Sequence, residues 1–237
     1  MKTKLSLYII FILILFASCK NSTDVKNNIA AKNICDKLQG QKFELSYWKQ
    51  TNPFKRNYIE YDLSNPKALT DKIIDSATAI SFCAIELYRN LCSSTIKEND
   101  GIKIGIGNKK NTKDVISPLY YYDMQYLGEV NKSVTAINAY LNSVINHSYE
   151  PINNYIDTTI INPDSVNIMM KKLLFNYNNA SFYYSFTETE IQIDSNKIFQ
   201  CFPFVVQIQE NYSGKALYLR IITRKADYKI VGISTNV

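Results

Sequence analysis

The hydrophobic period of this chain switches from helical to alternating near residue 180, and that change constrains the fold more than any other feature. From Leu127 to Leu174 apolar residues recur every three or four positions; from Ala180 onward they recur every second one. Leu127, Val130, Val134, Ile137, Leu141 and Val144 make one apolar stripe, which predicts a long helix from about Leu119 to Asn146. Pro151 opens a short helical piece containing Ile152, Tyr155 and Ile156, and Asn162-Pro163 caps a third helix over Asp164 to Phe175. Four alternating stretches follow, at about Ala180–Asp194, Lys197–Gln209, Lys215–Arg224 and Tyr228–Thr235. Asp194-Ser195-Asn196, Asn211-Tyr212-Ser213-Gly214 and Ala226-Asp227 supply the turns of an antiparallel meander. In its first strand Phe182, Tyr184 and Phe186 have one parity, Ile191 and Ile193 the other. A straight strand cannot bury both sets, so a bulge or sharp bend is expected within Thr187-Glu188-Thr189-Glu190, and a strongly curved sheet with it. Pro203 predicts an edge or a second bulge in the next strand.

The preceding stretch mixes both periods. Ala31, Ile34, Cys35 and Leu38 place a short amphipathic helix over Asn27 to Gln39, with Gly40 as its C′ residue. Phe43, Leu45 and Tyr47 alternate, as do Ile59, Tyr61 and Leu63; Thr51-Asn52-Pro53-Phe54 between them makes the pair a hairpin. Ser64-Asn65-Pro66 starts one long helix whose stripe begins at Leu69 and Ile73 and runs on to Leu87 and Leu91. Gly101 to Gly107 alternates as a strand, and the lysine-rich Asn108 to Asp114 followed by Pro118 marks a boundary. The expected class is α+β: a small α-β-β-α-β part over 27–114, then helices packed on a curved four-stranded meander over 115–237. Helices followed by such a meander, closing on Asp227-Tyr228-Lys229-Ile230-Val231-Gly232-Ile233, resemble the nuclear-transport-factor-like/cystatin-like group. That resemblance implies a helix in the concave sheet and a cone between them, used as a ligand pocket or a partner surface. The group hosts enzymes, binding modules and assembly domains, so the fold leaves the function open.

The amino terminus carries an address. Lys2 and Lys4 precede an apolar run from Leu5 to Phe16, and Ala17-Ser18 are small, the pattern of an export signal over 1–18. The run is too short for a typical membrane span. Leu15-Phe16-Ala17-Ser18-Cys19 resembles the lipobox of bacterial lipoproteins, with Phe16 where the family usually has Leu, Val or Ile. The resemblance implies that Cys19 is diacylglycerylated on sulfur and, after cleavage, acylated on its amine, so that several chains hold it firmly in a membrane. Residues 19–26 then form a polar tether. Lys20-Asn21-Ser22-Thr23-Asp24 resembles the surface-export signal of Bacteroidetes lipoproteins, without the acids that directly follow the lysine there. The expected place is the cell envelope, outer membrane rather than inner, facing periplasm or surface, with another envelope protein as partner.

Lipidation of Cys19 leaves Cys35, Cys83, Cys92 and Cys201 in a compartment that permits disulfides. On one helix Cys83 and Cys92 would lie roughly 13 Å apart, too far to bond. Cys35 then pairs with Cys83 or Cys92 and Cys201 with the other, or the thiols are simply buried. No C-x-x-C supports a metal site.

The net charge of +6 sits in short clusters, Lys109-Lys110 with Lys113, Lys171-Lys172, and Arg220 with Arg224, not in the continuous stripe that nucleic acid requires. Catalytic signals are thin. His147 is the only histidine, at the end of the long helix where a cation suits the dipole. Glu188, Glu190 and Asp194 share a parity, as do Arg220 and Arg224, which reads as cross-strand ion pairing before acid–base chemistry. Gly105-Ile106-Gly107 lacks the third glycine of a dinucleotide fingerprint. No catalytic residue, metal or cofactor is therefore assigned. The 18 tyrosines cluster at Tyr120, Tyr121, Tyr122 and Tyr126, and at Tyr177, Tyr183 and Tyr184; with His147 these are the candidate pocket or interface residues. Asp75-Ser76-Ala77, Asp157-Thr158-Thr159 and Asp164-Ser165-Val166 resemble the short O-glycosylation acceptors of Bacteroidetes. The expectation is a non-catalytic, envelope-anchored binding or assembly module, of inhibitor or immunity type among others; the alternative is a cone-shaped domain that binds or transforms a small molecule.

Overall fold

The computed structural model describes residues 23–51, 56–107, 119–146, 154–175, 177, 180–194, 197–210 and 216–235. The segment expected as an export signal, Cys19, His147 and the turns at 195–196 and 211–215 lie outside them. Both helices and sheets build the chain, which is α+β. It divides into two compact units that are discontinuous in sequence, Met1–Lys67 with Glu86–Met124 and Ala68–Ile85 with Gln125–Val237. A single break near residue 115 is what the sequence led us to expect.

The first unit holds a helix over 23–37 (α1), β1 (Lys42–Gln50), β2 (Arg56–Ser64), β3 (Gly101–Gly107) and β4 (Tyr120–Asp123). Its sheet order is β1-β2-β3-β4. The predicted hairpin is present, with Phe43 opposite Leu63, Leu45 opposite Tyr61 and Tyr47 opposite Ile59. β2 and β3 are parallel, and Ile59, Tyr61 and Leu63 face Ile102, Ile104 and Ile106 across the ladder. Alternation puts these side chains on one face, where all six are buried. Each such side chain stabilises the fold by roughly 1.5–3 kcal/mol through burial. α1 covers that face with Ala31, Ile34 and Leu38, and the Tyr61 hydroxyl donates to the Ala31 carbonyl at 3.1 Å.

Three local expectations change here. α1 begins at residue 23 rather than at Asn27, so residues 23–26, expected as the end of the tether, are helical. α1 ends with Gln39, not Gly40, in the left-handed conformation (φ 52°). The Gly40 N–H bonds the Cys35 carbonyl at 2.8 Å and the Gln39 N–H bonds that of Asp36 at 3.1 Å, a Schellman closure with Gln39 at C′. Gly40 is needed for space: a Cβ there would strike the Leu63 side chain and touch the Cys35 sulfur. Residues 120–123, expected as the first turn of the long helix, instead form β4, antiparallel to β3 with Ile102 opposite Tyr122. A run of three tyrosines suits a pleated surface, and the ladder of β3 offers it partners that a helix end lacks.

The second unit opens with α2 (Lys67–Thr70) and most of α3 (Ser76–Asn90), which passes into the first unit after Ile85. These replace the single helix expected from Pro66. Lys72 turns left-handed (φ 55°) and closes α2 by the same pair of bonds, Ile73 to Ala68 and Lys72 to Leu69. Asp75 then starts α3 afresh, its carboxylate accepting from the Thr78 N–H at 2.7 Å and the Thr78 hydroxyl at 3.0 Å. The long helix, α5 (Met124–Ile145), buries all six predicted stripe residues. Between α3 and β3 lies the short α4 (Ser93–Glu98), in the first unit. α6 (Pro163–Leu174) is capped by Asn162, whose side chain accepts from the Asp164 and Ser165 N–H groups. Tyr155 and Ile156 are not helical; they pair instead with Ile230, Ile156 in a parallel bridge.

The second sheet comprises β5 (Ala180–Phe186), β6 (Thr189–Asp194), β7 (Lys197–Glu210), β8 (Ala216–Arg224) and β9 (Ile230–Ser234), ordered β5-β7-β8-β9 with β6 also on β7. The first predicted strand is therefore broken at Thr187-Glu188, inside the expected segment. Its register is unshifted, since Phe186 faces Phe204 and Thr189 faces Cys201, so the break is not a bulge. Pro203 explains it. β7 is a central strand, not an edge; Pro203 accepts from Thr187 at 3.3 Å but has no N–H to return, and the ladder lapses there. The irregularities lie elsewhere, between Gln192 and Asp194 and between Ile222 and Thr223.

One face of this sheet meets α5: Tyr184 donates to Asn138, Thr223 donates to Ser133 at 2.8 Å, and the Tyr126 ring lies against Phe186 and Phe202. The opposite face meets residues 68–85, where the Phe82 ring sits 4.9 Å from Tyr183 and the Gln207 amide donates to the Ile73 carbonyl at 2.5 Å. Among the described residues no helix is long and apolar enough to cross a membrane.

Candidate functional site

The residues singled out from sequence do not converge on one site. Tyr120 and Tyr122 share a β4 parity with Ile104 and Ile102 opposite, while Tyr121 projects to the other face, its ring filling the space a Cβ on Gly101 would need. Burial and the nearby Asp123 carboxylate raise the Tyr121 phenol above its ordinary pKa. Tyr126 belongs to the second unit, inside an aromatic cluster. Tyr183 and Tyr184, as neighbours on one strand must, point to opposite faces, and both are buried. His147 lies outside the described residues. Cys35, Cys83, Cys92 and Cys201 are all free thiols, so neither disulfide pairing is present. Cys35 instead donates to the Gly40 carbonyl at 3.4 Å, and burial raises its pKa, as it does that of Cys201.

The charged residues of the meander pair as structural ions. Arg224 is clamped by Asp157 at 2.8 Å and by Asp227 through two guanidinium nitrogens. Lys225 bridges Glu129 at 3.0 Å and Glu188 at 2.9 Å. The Asp157 carboxyl is held below its ordinary pKa by the Thr159 hydroxyl first, and by the Thr159 N–H and Arg224 as well. Arg224 does the same to Asp227. Glu188, in the break between β5 and β6, pairs with Lys225 just beyond β8, which is not the strand-to-strand pairing with an arginine expected from the sequence.

The feature that sequence reading missed is a groove of about 960 Å³ in the first unit. α1, the far end of the β1–β2 hairpin, and α4 enclose it. Asn27 is its keystone. Fully buried, it donates to the Tyr47 hydroxyl and the Thr95 hydroxyl, both at 2.9 Å, and accepts from the Cys92 N–H at 3.1 Å. One amide thereby fixes α1, β1 and the start of α4. Asn57 ties the hairpin to the end of α4, donating to the Glu98 carbonyl at 3.0 Å, while its backbone exchanges bonds with Asp100.

Tyr47 stands at the mouth, while the Trp48 ring, its strand neighbour, projects to the opposite face of the sheet. Tyr47 is 47% exposed and Trp48 50%. Burial of the rest of its ring raises the Tyr47 phenol. Trp48 lies nearly parallel to Tyr58, at 15° and 6.4 Å, and the Lys103 ammonium sits 3.6 Å from the Tyr58 ring centre. Asp24, Lys49, Glu98 and Asn99 complete the polar rim. A partial signal did exist in the sequence: Tyr47 alternates with Phe43 and Leu45 and so shares their face of β1, the face that α1 covers. Chemically the groove offers one phenol, hydroxyls, amides, carboxylates and a lysine. Among the described residues no group of three His, Cys, Asp or Glu side chains converges to hold a metal. No protein family, curated protein or solved structure matches the chain.

Proposed function

We propose that this protein is a lipid-anchored, non-catalytic binding module of the bacterial envelope, held to the membrane through Cys19 and binding through the groove beside Tyr47. The groove itself carries the reading. Its half-exposed Tyr47 is held by Asn27, the one buried amide that locks the walls together, so the site is preorganised for a ligand. The lipobox-like segment supports the anchor, and the polar stretch after it would carry the fold away from the bilayer. A helix packed on an antiparallel sheet, as α5 is on β5–β9, is the arrangement that the cystatin-like resemblance implies.

Metabolic labelling with palmitate tests the anchor: wild type takes up label and fractionates with membranes, and Cys19→Ala does neither. Photo-crosslinking from position 47, compared with a site on the exposed face of α6 such as Ile168, tests the binding face. A specific adduct from the groove alone supports the reading; equal labelling from both positions, or none, refutes it.

A further inference from the structure

Resting on the anchor in that reading, we infer that α1 is a membrane-contact helix, whose exposed face at Val25, Lys26 and Ile29 lies on the surface of the bilayer that holds Cys19. Three observations carry this. The first is reach. α1 begins at residue 23, so only four peptide links separate it from the lipidated cysteine. Fully extended they span at most ~14 Å, about half the thickness of a hydrocarbon core. So short a tether keeps the first turns of α1 beside the headgroups however it bends. The second is the outward face itself. α1 buries Asn27, Ala31 and Ile34 on one side, and the helical period puts Val25 and Ile29 on the other, one turn apart and 57% and 54% exposed. Water gives two apolar side chains there nothing, whereas the boundary between headgroups and acyl chains buries them. Charge is the third. From 25 to 33 the helix carries Lys26 and Lys32 and no acid, and the acid of its first turn, Asp24, lines the groove instead. Lys32 pairs with Asp36, while Lys26 has no ion pair among the described residues. A lysine beside exposed apolar side chains matches anionic phosphates above acyl chains. Two half-exposed side chains are too little to hold a protein from solution, but the anchor makes the contact intramolecular, at the high effective concentration that a short linker gives. The contact therefore orients the fold. α1 covers one face of the first sheet, so the opposite face, where Trp48 stands, is carried clear of the bilayer.

Trp48 is the only tryptophan, so quenching of indole emission by brominated acyl chains reads one position at a time. The full lipidated protein is reconstituted in vesicles of phosphatidylethanolamine and phosphatidylglycerol, once with its own Trp48 and once as Ile29→Trp with Trp48→Phe. Ile29 is exposed, so the exchange should leave circular dichroism unchanged. Brominated lipid should quench the indole at position 29 about twofold or more and leave the one at position 48 almost untouched. Adding Val25→Asp and Lys26→Glu should abolish the quenching at position 29 while the protein still floats with the vesicles. An unquenched indole at position 29 in protein that floats with vesicles overturns the inference and leaves the anchor standing. Equal quenching at positions 29 and 48 overturns it too, because α1 then does not orient the fold. Quenching that survives Val25→Asp with Lys26→Glu overturns it as well, since the contact is then not made by this face. Protein that does not float with vesicles overturns the anchor, and this contact with it.

Discussion

Gln39 and Lys72 hold backbone conformations that helix ends usually give to glycine, and both side chains are exposed. A chain with only 7 glycines closes two helices this way. The left-handed region costs a non-glycine residue roughly 1–2 kcal/mol, part of which glycine's extra unfolded-state entropy offsets. Gln39→Gly should therefore stabilise the fold by about 0.5–1 kcal/mol in urea denaturation. Gly40→Ala, one residue on, should destabilise it by about 1–3 kcal/mol, because the new methyl meets Leu63 in a packed interior. The pair separates conformational freedom from space, and it reverses what the sequence suggests, where Gly40 is the evident left-handed residue.

At the scale of the element, hydrophobic stripes located helices more reliably than they located helix starts. The stripe from Leu69 to Leu91 runs unbroken through a real interruption, because Ile73 and Ile74 contribute to burial from a turn. Asp75 is what restarts the helix, and Asp75→Ala should cost about 0.5–2 kcal/mol. Ser76→Ala, next to it, should cost little, which makes the comparison specific to the cap. The corner made by β8, β9 and residues 155–159 depends on charge. Asp157 and Asp227 are held below the ordinary carboxylate pKa of 3.8, so their ion pairs with Arg224 contribute fully above that value. The contribution is lost as pH falls through the depressed values of the folded state. Asp157→Asn should lower stability by about 2 kcal/mol at neutral pH. The gap to wild type should close on acidification below the ordinary carboxylate range, as read from denaturation midpoints.

At the scale of the whole molecule, the two units share the chain in alternation, through α3 and α5. The α5-distal face of the second sheet is completed by residues 68–85, which supply Phe82 against Tyr183 and the Ile73 carbonyl for Gln207. A fragment over 115–237, which the sequence alone would define as a domain, lacks this cover. It should retain far-ultraviolet dichroism, lose near-ultraviolet dichroism and bind ANS, whereas adding residues 68–85 as a fused segment should restore fixed packing.

Local periodicity was enough to determine the α+β class, the hairpin, the stripe of α5 and the strands of the meander, because each is a short-range pattern that burial merely enforces. Tertiary structure alone decided which faces those patterns meet. It set β4 in place of a helical turn, since a free ladder on β3 outbids weak helix propensity in three tyrosines. It broke the first meander strand opposite Pro203, a partner 16 residues away in sequence by their pairing with Thr187. It also built the groove at Tyr47, because Asn27, Tyr47 and Thr95 become neighbours only after the chain has folded, and contacts between residues far apart in sequence leave no period to read.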